Sequence, residues 1–429
     1  MSNNTIPERT VDYLLIGGGL ASATAAEEIR KRDEKGSIVI ISNESHYPYH
    51  RPPLSKEYLR GEIGSDGTYG NGGVYVQDAD WYKNQRIEVQ LSTEAIALDT
   101  ERMVVSLSEN QEIGYRTLLL ATGGRPKQLN IPGSNLEGVF LLRTLTDATL
   151  IREHLSEGKH VVIVGSGFIG LEAAASALTR GARVTIVEPQ SRIWPQTTPQ
   201  QLSDYFQQQF TKRGATLCYG YSVTEFLAGD DGKLNKVRIA DINGKSKTED
   251  IECDFAVVGI GIQLNTDIAV TAGLDIDPQH GIIVDKHLET KVADVFAAGD
   301  VAAYPDPIVG RMHFEHWDNA IATAQTAAAN MTGEDVIYRH VPYFFSDQFD
   351  LSINMLGYPS ADAQIAFRGD MNGNSFTAFY VQDSMLRAAL MVNDDAQMDT
   401  ITELIAANAP VPDVQKLSDT SLDLSTLLP

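Results

Sequence analysis

The chain has 429 residues, with 34 Lys and Arg against 57 Asp and Glu, a formal charge of −23. That length allows two or three domains with full cores, and the acidity works against nucleic acid and anionic membrane surfaces as partners. No stretch reaches the roughly 20 apolar residues of a membrane span, and the opening MSNNTIPERT lacks the regions of a signal peptide, so a soluble cytoplasmic protein is expected.

The first predicted element is an apolar strand from about Val11, which enters a glycine turn at Gly17 and Gly19 and continues as a small-residue helix to about Arg30. A strand ending in glycine can turn without a Cβ clash, bring its backbone close to phosphates and aim the free N–H groups of the next helix at them. Gly17, Gly19, Leu20, Ala21 and Ser22 are therefore candidates to line a dinucleotide pyrophosphate, with Ser22 where a third glycine would fit. The next strand, near Ile38 to Ile41, leads to Glu44 as the candidate ribose acid, and Ala95 is a further candidate contact. The run GEIGSDGTYGNGG (61 to 73) has no apolar period and reads as a mobile surface excursion. An apolar strand, YRTLLLATGG, ends near Gly124 and offers Ala121, Thr122 and Gly123 beside the ligand.

The same pattern returns 148 residues after Gly17, in VVIVGSGFIGLEAAASAL, with Gly165, Gly167 and Gly170. Phe168 and Ile169 open its helix, and Glu188 stands at the end of the following strand, where it would accept hydrogen bonds from a ribose 2′-hydroxyl and repel a 2′-phosphate. NADH is expected over NADPH. Either turn alone is an ordinary β-to-α connection, but two with strand, helix and acid in place imply two dinucleotides held at once. A permanent flavin and a visiting nicotinamide are the expected pair, and electron transfer is the expected activity.

After the second unit come IECDFAVVGIGI, with Gly259 and Gly261 at its turn, and the strand VFAAGD closing on Asp300. A helix is expected from near Asp318, and the last region alternates short apolar runs with turns before a helix near Met398 to Ala407. The order suggests a second nucleotide domain inserted in the first: a FAD domain over 1–120 and 253–330, an NAD domain over 121–252, and a C-terminal α+β domain over 331–429. Cys218 and Cys253, 35 residues apart, form neither a C-x-x-C pair nor a metal-ligand cluster and read as buried small hydrophobes. No metal site is expected.

The runs HYPYHRPPLSKEYLRGE (46 to 62), ATGG (121 to 124), LLRTLTDA (141 to 148), GFIGLEAA (167 to 174), VFAAGDVA (295 to 302), FEHWDNA (314 to 320) and YFFSDQFD (343 to 350) resemble the FAD- and NAD(P)H-dependent ferredoxin and rubredoxin reductases of oxygenase systems. They resemble the apoptosis-inducing-factor group equally. The resemblance implies the α/β glutathione-reductase-like fold, with two Rossmann-type nucleotide-binding domains and a C-terminal α+β domain. It implies that Lys56 sits over the flavin ring and that Glu172 pairs with it, making these the catalytic candidates. Arg51, Arg143, Asp300 and Trp317 match flavin contacts, and Glu315 and His316 match the pair beside the nicotinamide. Phe168 matches an aromatic that covers the flavin face and must move aside for the coenzyme. Phe345 stands where the related monodehydroascorbate reductases carry a tyrosine, which counts against an ascorbate-radical substrate.

The implied activity is hydride transfer from NADH to flavin N5, followed by single-electron transfer to a ferredoxin, rubredoxin or Rieske-type iron-sulfur protein. The alternatives are a reductase or oxidase of a small acceptor (a quinone, an organic radical or oxygen) and a redox-sensing protein. The chain is expected as a monomer or homodimer.

Overall fold

The computed structural model describes Pro7, residues 9–242, Gly244, 248–411 and 413–428. The opening stretch read for a leader thus lies, apart from Pro7, Arg9 and Thr10, outside the described residues. The chain divides into two compact units: residues 1–50, 64–125 and 263–340 form one, and residues 51–63, 126–262 and 341–429 form the other.

The first unit is built on β1 (Thr10–Ile16), α1 (Leu20–Arg32), β2 (Ile38–Ile41), β3 (Ile87–Gln90), β4 (Ala95–Asp99), β5 (Val104–Leu107) and β6 (Gln111–Leu120). Strands β3, β2, β1 and β6 lie side by side in parallel, and β5 and β4 extend the sheet in antiparallel fashion. The second half of β6 also pairs in parallel with Val295–Ala297, so a strand from far along the chain completes this sheet. All four residues of β2, IVII, are buried, the continuous apolar run of a strand covered on both faces. Helix α1 packs on the helix Trp317–Met331, and its last turn carries Arg30, Lys31 and Arg32, where positive charge suits the helix dipole.

In the second unit, Thr216–Tyr219, Arg183–Glu188, His160–Val164, Phe255–Val258 and Val139–Leu141 form a five-stranded parallel sheet in that order. A three-stranded antiparallel sheet, Tyr221–Ala228, Leu234–Asp241 and Thr248–Glu252, contributes Val223, Phe226, Val237 and Ile239 to the same core as Val162, Val164 and Ala256. The C-terminal residues form a five-stranded antiparallel sheet from Tyr343–Gln348 to Met385–Val392. Its helix, Met398–Ala406, buries Ile401, Leu404 and Ile405 against Phe379, Ala389 and Met391.

Two details differ from expectation. The run 61–73 is largely exposed, yet it is hydrogen-bonded to itself: the Gly64 and Asn71 N–H groups donate to Gly72 and Thr68 carbonyls, both at 2.9 Å. Its lack of apolar period reflects turns stabilised through backbone polar groups. Cys253 is buried, and burial pushes its thiol up to about 12, whereas Cys218 is only half-buried. The helix expected from near Asp318 is present and begins at Trp317. No helix among the described residues is long and apolar enough to cross a membrane.

Candidate active site

Gly17, at the carboxyl end of β1, has φ +120°, and a Cβ there would lie 2.1 Å from the Ala121 carbonyl oxygen. Only glycine lets this turn touch the chain leaving β6. Gly19 is the N-cap of α1, with no side-chain cap and no atom within 4 Å of where a Cβ would point. The N–H groups of Leu20, Ala21 and Ser22, in the first turn of α1, have no intrahelical acceptor. Ser22 is fully buried, and its Oγ has no hydrogen-bond partner among the described residues. An open cradle, free donors and an unsatisfied hydroxyl fit a dinucleotide pyrophosphate.

Other candidates of the first unit gather around this turn. The Ser42 Oγ would be 2.0 Å from a Gly18 Cβ. Glu44, half-buried, accepts a hydrogen bond from the Tyr49 hydroxyl. The Thr93 N–H donates to the Ser42 carbonyl at 2.8 Å, which brings Ala95, the first residue of β4, near the same strand end. Thr122 donates through Oγ1 to the Asn265 carbonyl (2.6 Å), and the Asn265 N–H donates back to Gly123 (2.9 Å). Asp300 follows Gly299, whose N–H donates to Thr323 Oγ1 at 2.9 Å and whose Cβ position lies 3.3 Å from the Ala21 Cβ.

Trp317 opens the helix Trp317–Met331 with His316 as N-cap. Its Nε1–H donates to His50 Nδ1 at 2.7 Å, so that nitrogen must be unprotonated, and burial lowers the His50 imidazole to about 4. Tyr69, from the glycine-rich run, packs on the His50 ring at 4.7 Å between centroids. Burial also lowers His316 to about 4, against the opposing pull of Asp300 and Asp318. Glu315 is exposed and lies 3.2 Å from His313 Nε2.

The second glycine turn, in the second unit, repeats the first. Gly165 has φ +99°, and a Cβ there would sit 2.4 Å from the Gly259 carbonyl oxygen. A Gly170 Cβ would be 2.3 Å from the Gly165 carbonyl oxygen. Gly167 is an N-cap with no side-chain cap, followed by half-buried Phe168 and exposed Ile169. Glu188 reaches this turn: one carboxylate oxygen accepts from the Ser166 N–H (2.7 Å) and hydroxyl (2.9 Å), the other from the Gln190 N–H (2.9 Å). Gly261, with φ +96°, accepts from the Lys127 N–H at 2.9 Å.

Lys56 and Glu172 meet in the second unit, both almost fully buried at 3% and 2% exposure, with Nζ 2.8 Å from Oε2. The same Oε2 accepts from Ser55 Oγ (2.5 Å), and Oε1 accepts from Ser346 Oγ (2.7 Å). The ammonium also donates to the Pro52 carbonyl at 3.0 Å and lies 5.4 Å from the Phe345 ring centroid. This is a hydrogen-bonded ion pair, the form in which buried charge is tolerated. Burial raises the nearby Asp347 carboxyl above its ordinary range, against the pull of Lys56. Arg51 donates to the Arg143 carbonyl at 2.8 Å. The flavin candidates Arg51, Lys56 and Arg143 thus belong to the second unit and the others to the first, while Glu315 and His316 belong to the first and the other nicotinamide candidates to the second. Ser55, Ser346 and the Tyr69–His50 stack were not singled out from sequence, although both serines lie inside quoted motifs.

Two glycine turns of the same build, each with an open helix N-terminus and an acid after the next strand, define a protein that binds two dinucleotides. Residues 11–328 match the family described as pyridine nucleotide-disulphide oxidoreductase, and residues 343–428 match the reductase C-terminal family. The chain belongs to the pyridine nucleotide-disulphide oxidoreductase family. It is similar to the probable ferredoxin reductase CtmF of Castellaniella defragrans, 35% identical, covering 89% of this chain and 90% of that one. The ferredoxin–NAD(+) reductase component of the anthranilate 1,2-dioxygenase system of Burkholderia cepacia is 34% identical, with 97% of this chain and 99% of that one covered. Among solved structures, the ferredoxin reductase for the CYP199A2 system from Rhodopseudomonas palustris is 32% identical, with a TM-score of 0.89 over 97% of this chain and 100% of that one. The fold is that of the glutathione-reductase-like flavoproteins.

Proposed function

We propose that this chain is an NADH-dependent, FAD-containing reductase that passes electrons to a ferredoxin- or rubredoxin-type iron-sulfur protein. The observation that carries this is the pair of glycine turns, with Glu188 held at the second one. Relatives along nearly the whole chain are named as ferredoxin reductases, and one solved relative is putidaredoxin reductase in covalent complex with putidaredoxin.

When bound, flavin supplies acceptance of a two-electron hydride and release of single electrons. The chain's part is to bind, orient and stabilise charge. The residues of the Gly17 turn, with Glu44, Ala95, Ala121, Thr122, Gly123, Arg51, Arg143, Asp300 and Trp317, hold FAD. The residues of the Gly165 turn, with Glu188, Gly259, Gly261, Glu315 and His316, hold NADH. Lys56, fixed by Glu172, offers an immobile positive charge that favours the electron-rich ring, and the helix N-terminus at Trp317 adds a partial one. Hydride transfer would need no protein acid or base, only residues that hold and orient the bound coenzyme. On this reading residues 1–120 and 253–330 form the FAD domain, 121–252 the NAD domain and 331–429 the C-terminal domain. We also propose a cytoplasmic location, which the two free thiols suit.

The test is NADH-driven reduction of cytochrome c with and without a purified two-iron ferredoxin. A rate that rises many-fold with the ferredoxin supports the reading. Equal turnover with oxygen or a quinone and no response to the ferredoxin favours a small acceptor instead.

A further inference from the structure

Trp194 lies between the strand that ends at Glu188 and the helix that begins at Gln200. Its φ of +47° lies in the left-handed region, which a bulky aromatic residue seldom occupies. Its side chain is 9% exposed, and its indole N–H is buried with no acceptor among the described residues. Both features cost free energy and persist only where the surroundings enforce them. The surroundings do so here. Arg192 donates from Nη1 to the Thr198 carbonyl (2.7 Å) and Ser203 Oγ (2.5 Å), and from Nη2 to the Pro195 carbonyl (3.0 Å). Thr198 Oγ1 donates to the Trp194 carbonyl at 2.8 Å.

The braced loop sets the indole against the Phe168 ring, with centroids 4.4 Å apart and planes at 36°. Phe344 also meets Phe168, at 4.4 Å and 61°, and Phe206 meets the indole at 4.9 Å. Phe168 is the first residue of the helix that leaves the second glycine turn, so its ring stands at the mouth of the coenzyme cradle. We propose that Trp194 is a positioning residue that latches Phe168 across the nicotinamide site, and that coenzyme binding breaks this contact. The Arg192 and Thr198 hydrogen bonds hold the indole in place, and the Phe168 ring, at the first position of its helix, is the part that moves. The proposal rests on reading Phe168 as the ring that moves aside.

The test uses the FAD-loaded protein and NAD+ binding measured by calorimetry. Phe168→Ala and Trp194→Leu are each expected to tighten NAD+ by about two- to tenfold, the scale of one aromatic contact. Trp194→Phe, which retains a stacking ring, restores affinity toward that of the unmodified protein, and Trp194→Leu adds nothing in the Phe168→Ala background. If Phe168→Ala leaves affinity unchanged, the reading of Phe168 fails and the latch with it. If Phe168→Ala tightens binding but Trp194→Leu does not, or does so equally without Phe168, the latch alone is overturned. A second measurement does not depend on the leucine variant folding: with 5-fluorotryptophan in all three tryptophans, the resonance lost in Trp194→Phe should shift on saturation with NAD+. An unmoved resonance overturns the latch.

Discussion

Lys56 and Glu172 sit in a space where neither charge meets water, and the two serines that complete the Glu172 hydrogen bonds come from different parts of the chain, Ser55 and Ser346. Removing one partner strands the other charge. Glu172→Leu is expected to lower unfolding free energy by about 3–5 kcal/mol, with Lys56→Met/Glu172→Leu recovering part of the loss because no unpaired charge remains; denaturant unfolding of the variants checks this. Lys56→Met should slow flavin reduction more than it weakens NADH affinity, which single-turnover mixing separates. At Glu188, a neutral Gln is expected to narrow the preference for NADH over NADPH by roughly tenfold, the scale of a charge-assisted hydrogen bond, read from kcat/KM for each coenzyme. His50 gives a pH signature. Its folded value of about 4 lies below the ordinary value of about 6.5, so between those values the unfolded chain binds more protons than the native one. The His50 contribution is therefore present above pH 6.5 and lost as pH falls toward 4. His50→Gln, which keeps an acceptor for Trp317, should flatten the fall of Tm across that window.

At the scale of elements, the two turns allow a contrast between neighbouring glycines. Gly17→Ala places a Cβ 2.1 Å from the Ala121 oxygen at φ +120°, so it should disrupt the contact between β1 and the end of β6 and yield little folded protein. Gly19→Ala meets no atom within 4 Å, so the chain should fold with a near-normal Tm. The added methyl enters the cradle, and FAD retention should weaken by on the order of tenfold, the scale of one lost charge-assisted hydrogen bond, measured by flavin absorbance after dialysis. These strands, turns and helices were legible in the sequence because a buried parallel strand, a glycine turn and a small-residue helix each leave a local mark, as IVII and Gly17 to Ser22 show. Trp194 left none. Its φ is held by the Arg192 and Thr198 hydrogen bonds, which no periodicity reports. Tyr69 was equally silent, because its stacking on His50 joins a featureless glycine-rich run to a residue outside that run.

For the whole molecule, the matched families run over residues 11–328 and 343–428, so every motif quoted from the sequence falls within a domain of known build. The Lys56–Glu172 pair shows the limit of reading residues alone: its members are 116 positions apart, and only their places in RPPLSK and GFIGLE marked them as partners. The acceptor is the least legible part, since the surface that greets it has no local motif and the charge of −23 describes the chain as a whole. Whether the chain holds two dinucleotides for electron transfer is decided by anaerobic titration of the purified, FAD-loaded protein with NADH. A yellow protein whose flavin band is bleached by one equivalent of NADH is expected. A protein that stays colourless after incubation with FAD, or a bound flavin that NADH leaves oxidised, would contradict it.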